Sequence, residues 1–196
     1  MLVVAKRPPA HRAYASERNP CFSGDKTRVG SMNTAYIGVG SNLGDKLQNC
    51  CKAIELVDNI GNCTVKSQSP FYRTEPVGVA SQDWYVNGVI RVETGLSAQD
   101  LLKSLLSIET GMGRVRTQRW ESRIIDLDIL LYGHHVIDEK SLTIPHPLMH
   151  IRKFVLMPMV QLDPDLVHPV LGRTMSELLD DLAEEGQGIM PIGGYR

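Results

Sequence analysis

Asp126 and Asp128 stand two residues apart inside the otherwise apolar run 124–132. Side chains alternate faces along a strand, so both carboxylates project to one side while Ile125, Leu127 and Ile129 project to the other, into a core. Two neighbouring carboxylates repel each other unless a cation lies between them. Hard oxygen ligands in that arrangement suit Mg²⁺, which is usually held by one or two carboxylates together with substrate phosphates. Just upstream, Arg114, Arg116, Arg119 and Arg123 surround Trp120. Guanidinium groups grip phosphate oxygens two at a time. The segment therefore reads as a place to hold Mg²⁺ and a polyphosphate together. An acidic pair serving solubility alone would not need to interrupt an apolar run, where an unpartnered charge is costly.

A second group lies earlier. Asn87 interrupts an apolar strand two residues after Tyr85, so the two share a face. An amide beside an aromatic plane suits a flat heterocycle: the amide reads its hydrogen-bonding edge and the ring stacks on its face. From spacing alone, a strand asparagine satisfied beside a core tyrosine fits equally well. His146 and His150 have the spacing of helical metal ligands, but Pro145 and Pro147 argue against a continuous helix there. His146 alone could meet phosphate, while His134 and His135 read as exposed turn residues. The glycines at 38, 40 and 44 resemble a dinucleotide fingerprint, but Leu43 stands where its third glycine belongs, and no phosphate-loop GxxxxGK[ST] sequence occurs. They read as tight-turn residues.

The elements that must position these groups follow from periodicity. A β-rich alternation over 34–39 predicts the first strand, and a turn follows at 40–45. Leu47, Cys50, Cys51, Ile54 and Val57 line one face of a helix that Gly61 ends. A second strand over 63–72 carries Pro70 near its end, as an edge or bulge would. The third strand covers 84–93, and Ser97 caps a helix running to Gly111. After the arginine loop and the aspartate strand, 132–137 reads as a hairpin turn. A helix over 149–160 and a last one over roughly 174–184 complete the chain. This order predicts an α+β, ferredoxin-like αβα sandwich with a mainly antiparallel sheet.

Bulk properties narrow the class. The 196 residues suffice for one domain with a full core, and the net charge of −1 gives no broad attraction to nucleic acid or membrane. No stretch approaches the roughly 18 apolar residues that span a bilayer. Cys21, Cys50, Cys51 and Cys63 show no zinc spacing, and reduced thiols in a cytoplasmic protein are expected. Residues 1–33 show no period and read as a poorly ordered extension, with Met32 an alternative start; 34–196 read as a single domain.

Several segments together closely resemble the 6-hydroxymethyl-7,8-dihydropterin pyrophosphokinase family. They are AYIGVGSNLGD (35–45), SPFYRTEPVG (69–78), DWYVN (83–87), IETGMGRVR (108–116), the RW and R at 119, 120 and 123, DLDILLYG (126–133), LTIPHP (142–147) and RKFVLMP (152–158). The resemblance implies pyrophosphate transfer from ATP to 6-hydroxymethyl-7,8-dihydropterin, with AMP released, in folate biosynthesis. It implies two Mg²⁺ ions on Asp126 and Asp128, with Arg114 and Arg123 joining them in catalysis. Glu109, Arg114, Arg116, Arg119, Trp120, Arg123, Thr143, His146 and Arg152 would bind ATP. Thr74, Val77, Tyr85, Asn87, Asp126 and Phe154 would bind the pterin, with Tyr85 and Phe154 sandwiching the ring. A monomer acting on small molecules, with neither nucleic acid nor membrane as partner, is expected. The family usually carries Gly-Pro after the tryptophan of its mobile loop, where this chain has Glu121-Ser122. That exchange removes a stiff turn and adds a negative charge near phosphate.

An RNA-binding module is the rival reading, since an Arg/Trp loop on such a fold could bind by charge and stacking. It has no use for two aspartates that would repel the nucleic-acid backbone.

Overall fold

Nine residues of β1 (Asn33–Ser41) separate two hydrophobic cores. Ala35, Ile37 and Val39 face one of them, and Tyr36 on the opposite side belongs to the other. This is the alternation a strand imposes when both of its faces are covered. The computed structural model describes residues 32–76, 83–114, 123–182 and 188–193. All but two residues of the expected extension 1–33 lie outside them, as does most of the arginine loop.

After β1 come helix α1 (Lys46–Asp58), strands β2 (Cys63–Gln68), β3 (Tyr72–Thr74) and β4 (Tyr85–Thr94), and helix α2 (Ala98–Gly111). Strands β5 (Asp126–Tyr132), β6 (Ile137–Glu139) and β7 (Leu142–Ile144) follow. The chain closes with a single 3₁₀ turn (Met149–Ile151), α3 (Lys153–Leu162), α4 (Met175–Asp180) and β8 (Ile189–Pro191). The main sheet has the order β5-β1-β4-β3-β8, with β2 paired to the other half of β4, and every pairing is antiparallel. Helices α1 and α2 cover one face, where Ile37, Ile90, Leu101, Leu105 and Leu127 are buried; α3 and α4 cover the other, around Leu131, Met149, Leu156 and Met159. This is the expected ferredoxin-like αβα sandwich.

Local chemistry explains the boundaries. Ser97 accepts the backbone N–H of Asp100 and caps α2; Asp45 accepts that of Gln48 and caps α1. The strand expected over 63–72 is divided, because Pro70 cannot donate to the ladder. Both halves still pair with β4.

Three expectations change. The hairpin at 132–137 does not form: the chain turns at Gly133 (φ 52), whose N–H bonds Thr34, and β6 pairs with β7 instead of β5. The helix over 149–160 is interrupted at Arg152, which is extended (φ −111, ψ 106) and separates the 3₁₀ turn from α3. Of the glycines read as turn residues, Gly44 fits with φ 65, but Gly38 and Gly40 lie within β1.

Candidate active site

Antiparallel register decides which side chains become neighbours. Gly40 of β1 is opposite Asn87 of β4 on one side and Asp126 of β5 on the other, and Gly38 is opposite Asp128. Directly opposed residues share a face, so Asn87, Asp126 and Asp128 project together. Between them β1 contributes only the hydrogens of two glycines. Asn87 and Asp126 are two strands apart, about 10 Å, across a floor of bare backbone. A strand-interior glycine commonly marks such an approach surface. The floor is tight at one point: a methyl group on Gly40 would lie 2.5 Å from the Asn87 side-chain oxygen.

The phosphate-seeking groups converge on β5. Arg114 donates to Asp126 Oδ1 at 2.6 Å and Arg123 to Asp126 Oδ2 at 2.5 Å. Glu109, 2% exposed near the end of α2, pairs with Arg114 and accepts the Leu127 N–H at 2.8 Å. Its carboxylate thus ties helix, arginine and aspartate strand together, and it reaches the site through Arg114. Asp128 is open to solvent on one side and crowded by protein on the others. Partial burial, then the charges of Asp126 and Glu109, push its pKa from 3.8 up to about 6, against the opposing pull of Arg152 and Arg114.

Arg152 stands at the N-terminus of α3 with its guanidinium 5.6 Å from the centre of the Phe154 ring. His146 lies near Arg152 and Asp126; burial first, and then Arg152, lowers its pKa. It is therefore neutral at pH 7. Its Nδ1 accepts the Leu148 N–H at 3.2 Å, which assigns the proton to Nε2 and makes that atom a donor. Thr143 is exposed on β7, three residues earlier.

On the β4 side, Asn87 donates to Thr74 Oγ1 at 2.6 Å, so a fully buried threonine orients the amide. Tyr85 is half-buried, close to Arg123 and Asp126, and hydrogen-bonded to the side chain of Asn42. Val77, Arg116, Arg119, Trp120 and the Glu121-Ser122 exchange lie outside the described residues. Two features escaped the sequence reading. Asn42, just past β1 and 1% exposed, holds both backbone groups of Arg123; its only signal was a polar residue following a buried strand. The glycine floor becomes recognisable once the register is known.

The residues present fit a divalent cation. Asp126 and Asp128 are hard oxygen donors on one strand face. Among the described residues no group of three His, Cys, Asp or Glu side chains is placed to hold a metal. Two carboxylates, with the remaining ligands from phosphate and water, is the habit of Mg²⁺. A separate cavity of about 580 Å³, lined by Tyr36, Arg91, His134, His135 and Asp163 among others, opens toward the far end of the same sheet face. It lacks the acid–arginine chemistry.

Fold and site together define a ferredoxin-like enzyme scaffold with an acid–arginine cluster beside an amide-and-aromatic wall. The family model described as 7,8-dihydro-6-hydroxymethylpterin-pyrophosphokinase (HPPK) matches residues 36–164, and the chain belongs to that family. It is 42% identical over 153 residues to the 2-amino-4-hydroxy-6-hydroxymethyldihydropteridine pyrophosphokinase of Haemophilus influenzae, covering 78% of this chain and 95% of that one. It is also 42% identical over 152 residues to Folic acid synthesis protein fol1 of Schizosaccharomyces pombe, of which it spans 21%. A crystal structure of Plasmodium falciparum HPPK-DHPS superposes with a TM-score of 0.64 at 15% identity, over 79% of this chain and 46% of that one. That likeness shows the fold alone.

Proposed function

We propose that this enzyme, which transfers pyrophosphate from ATP to 6-hydroxymethyl-7,8-dihydropterin in folate biosynthesis, does so with two Mg²⁺ ions held by Asp126 and Asp128. The observation that carries the metal assignment is the carboxylate pair itself: two acids on one strand face, opposite Gly40 and Gly38 of β1. Bound there, the ions would neutralise phosphate oxygens and align the reacting groups.

The chain's own residues do the rest. Asn87, fixed by Thr74, reads the hydrogen-bonding edge of the pterin, Val77 would add a further pterin contact, and Tyr85 and Phe154 hold the ring's faces. That directs the hydroxymethyl group across the glycine floor toward Asp126. Its oxygen forms a bond to the β-phosphorus and the bond from that phosphorus to the oxygen of the α-phosphate breaks, releasing AMP; the hydroxyl proton passes to solvent. Arg114 and Arg123 offset charge on the transferred group and on the leaving AMP. Glu109 aims Arg114. On the nucleotide side, His146 donates from Nε2, Arg152 contributes charge and Thr143 a hydroxyl. Arg116, Arg119 and Trp120 would add charge and an aromatic surface for binding ATP. The proposal also takes the enzyme as a cytoplasmic monomer acting on small molecules, with neither nucleic acid nor membrane as partner. The unpaired thiols of Cys50, Cys51 and Cys63 support the compartment.

The test is AMP formation from ATP and the pterin alcohol, with Mg²⁺ and with chelator. Asp126→Ala should lower the rate by roughly 10² or more. Full turnover in chelator, or in that variant, would defeat the metal assignment.

A further inference from the structure

One side chain links the two halves of this site without belonging to either. Asn42 follows the last residue of β1 and is 1% exposed. Its backbone N–H donates to the Arg123 carbonyl at 3.1 Å, and its Oδ1 accepts the Arg123 N–H at 2.6 Å. A backbone N–H can only donate, so this contact fixes which end of the amide is oxygen. The other end then faces the Tyr85 hydroxyl, to which the side chain is hydrogen-bonded. Arg123 in turn bonds Asp126. A path of polar contacts therefore runs from the aromatic wall through one buried amide to the residue whose guanidinium meets the acid pair. Arg123 lies outside any strand or helix, so this double grip anchors the backbone from which its guanidinium reaches Asp126.

We propose that Asn42 is a positioning residue that couples the two substrate subsites: it latches the Arg123 backbone to the end of β1 and ties that latch to the Tyr85 hydroxyl. Ordering Arg123 around a bound triphosphate then sets the wall against which the pterin stacks, and the reverse holds by reciprocity. The inference rests on the pyrophosphokinase reading. Alanine removes both bonds of the amide, whereas Tyr85→Phe keeps the latch and removes only the link.

The experiment titrates 6-hydroxymethyl-7,8-dihydropterin by calorimetry into wild type, Asn42→Ala and Tyr85→Phe, with and without Mg²⁺ and an α,β-methylene analogue of ATP. The readout is the ratio of the two pterin Kd values, which cancels any loss of pterin affinity common to both conditions. Wild type should show a ratio within the usual allosteric range of about 5–150. Both variants should bring it toward unity, and Asn42→Ala should also lower kcat at saturating substrates by roughly tenfold or more, the scale expected for a misplaced catalytic group. A merely structural role would lower Tm and leave the ratio, and kcat per folded molecule, unchanged. Either of those results overturns the proposal, as does a wild-type ratio of one. If Asn42→Ala fails to fold, Tyr85→Phe decides alone: an unchanged ratio overturns the coupling. Wild type that makes no AMP would strike the function itself, whereas active wild type beside an equally active Asn42→Ala removes only the latch.

Discussion

Asp128→Asn should make the metal-free protein more stable while disabling it. The carboxylate carries a pKa of about 6 in the fold against 3.8 ordinarily, so the folded chain binds this proton more tightly than the unfolded chain does. Stability from this group is therefore complete below about pH 4 and is lost as pH rises toward and through about 6. Two units at about 1.4 kcal/mol each set a ceiling near 3 kcal/mol. Solvent reaches Asp128, so screening reduces the net cost at pH 8 to about 1 kcal/mol. Asparagine keeps the shape and removes the charge. In chelator at pH 8 the variant should melt about 2–4 °C above wild type, and the advantage should shrink by pH 5. Added Mg²⁺ should raise the wild-type Tm and close the gap, because an ion that binds only the folded state stabilises by mass action. AMP formation by the variant should fall by roughly 10² or more. A variant less stable than wild type at both pH values, or equally favoured at both, would refute the electrostatic reasoning.

Glu109→Gln keeps an acceptor for Leu127 but turns an amide toward the Arg114 guanidinium; urea unfolding should show a loss of about 2 kcal/mol, and a change below about 0.5 kcal/mol would contradict the pairing. Gly40→Ala must displace the Asn87 amide from Thr74, so pterin Kd should rise tenfold or more while nucleotide Kd changes less; equal loss of both would count against the division of the floor. Tyr36→Phe removes the hydroxyl that donates to Asp163 at 2.9 Å, four residues before Gly40 on β1. It should lower stability by about 1 kcal/mol and leave kcat within twofold, and a larger fall in kcat would mean that the far cavity communicates with the site.

Legibility in the sequence followed the range of the forces involved. The period-two pattern around Asp126 and Asp128 and the capping signal at Ser97 are local, and both elements form as expected. Where tertiary contacts compete with local signals, the reading slipped. Gly133 looks like the corner of a hairpin, but its N–H is taken by Thr34 of β1, so β6 finds its partner in β7. The apolar pattern over 149–160 suits a helix throughout, yet the chain extends at Arg152, where the Asp128 carboxylate and the His146 imidazole lie nearby. Asn42 could not be singled out, because its partners Arg123 and Tyr85 are distant in sequence. Glu109 drew attention through a resemblance, but its burial and its bond to Leu127 emerge only when α2 docks on β5.

Why the site lies where it does follows from the sheet. A three-layer sandwich covers both faces of its central strands, which normally leaves no room for a ligand there. A gap in the side chains arises where a central strand carries glycine, and β1 does so at Gly38, which Leu130 overlies, and at Gly40, beside Asn87, while Tyr36, two residues before Gly38, is packed beneath α3 and α4. The strands on either side of that gap carry different chemistry: β4 presents an amide and an aromatic ring, and β5 presents two acids with their arginines. Antiparallel pairing through β1 then sets the distance between the two chemistries at two strand spacings, about 10 Å. A one-residue slip of β5 would turn Asp126 and Asp128 into the core and Leu127 into the gap, since each step along a strand reverses the face. The apolar residues Ile125, Leu127 and Ile129, buried against α2 and its neighbours, therefore act on the chemistry as well as on stability: they fix the register that keeps both carboxylates opposite the glycines.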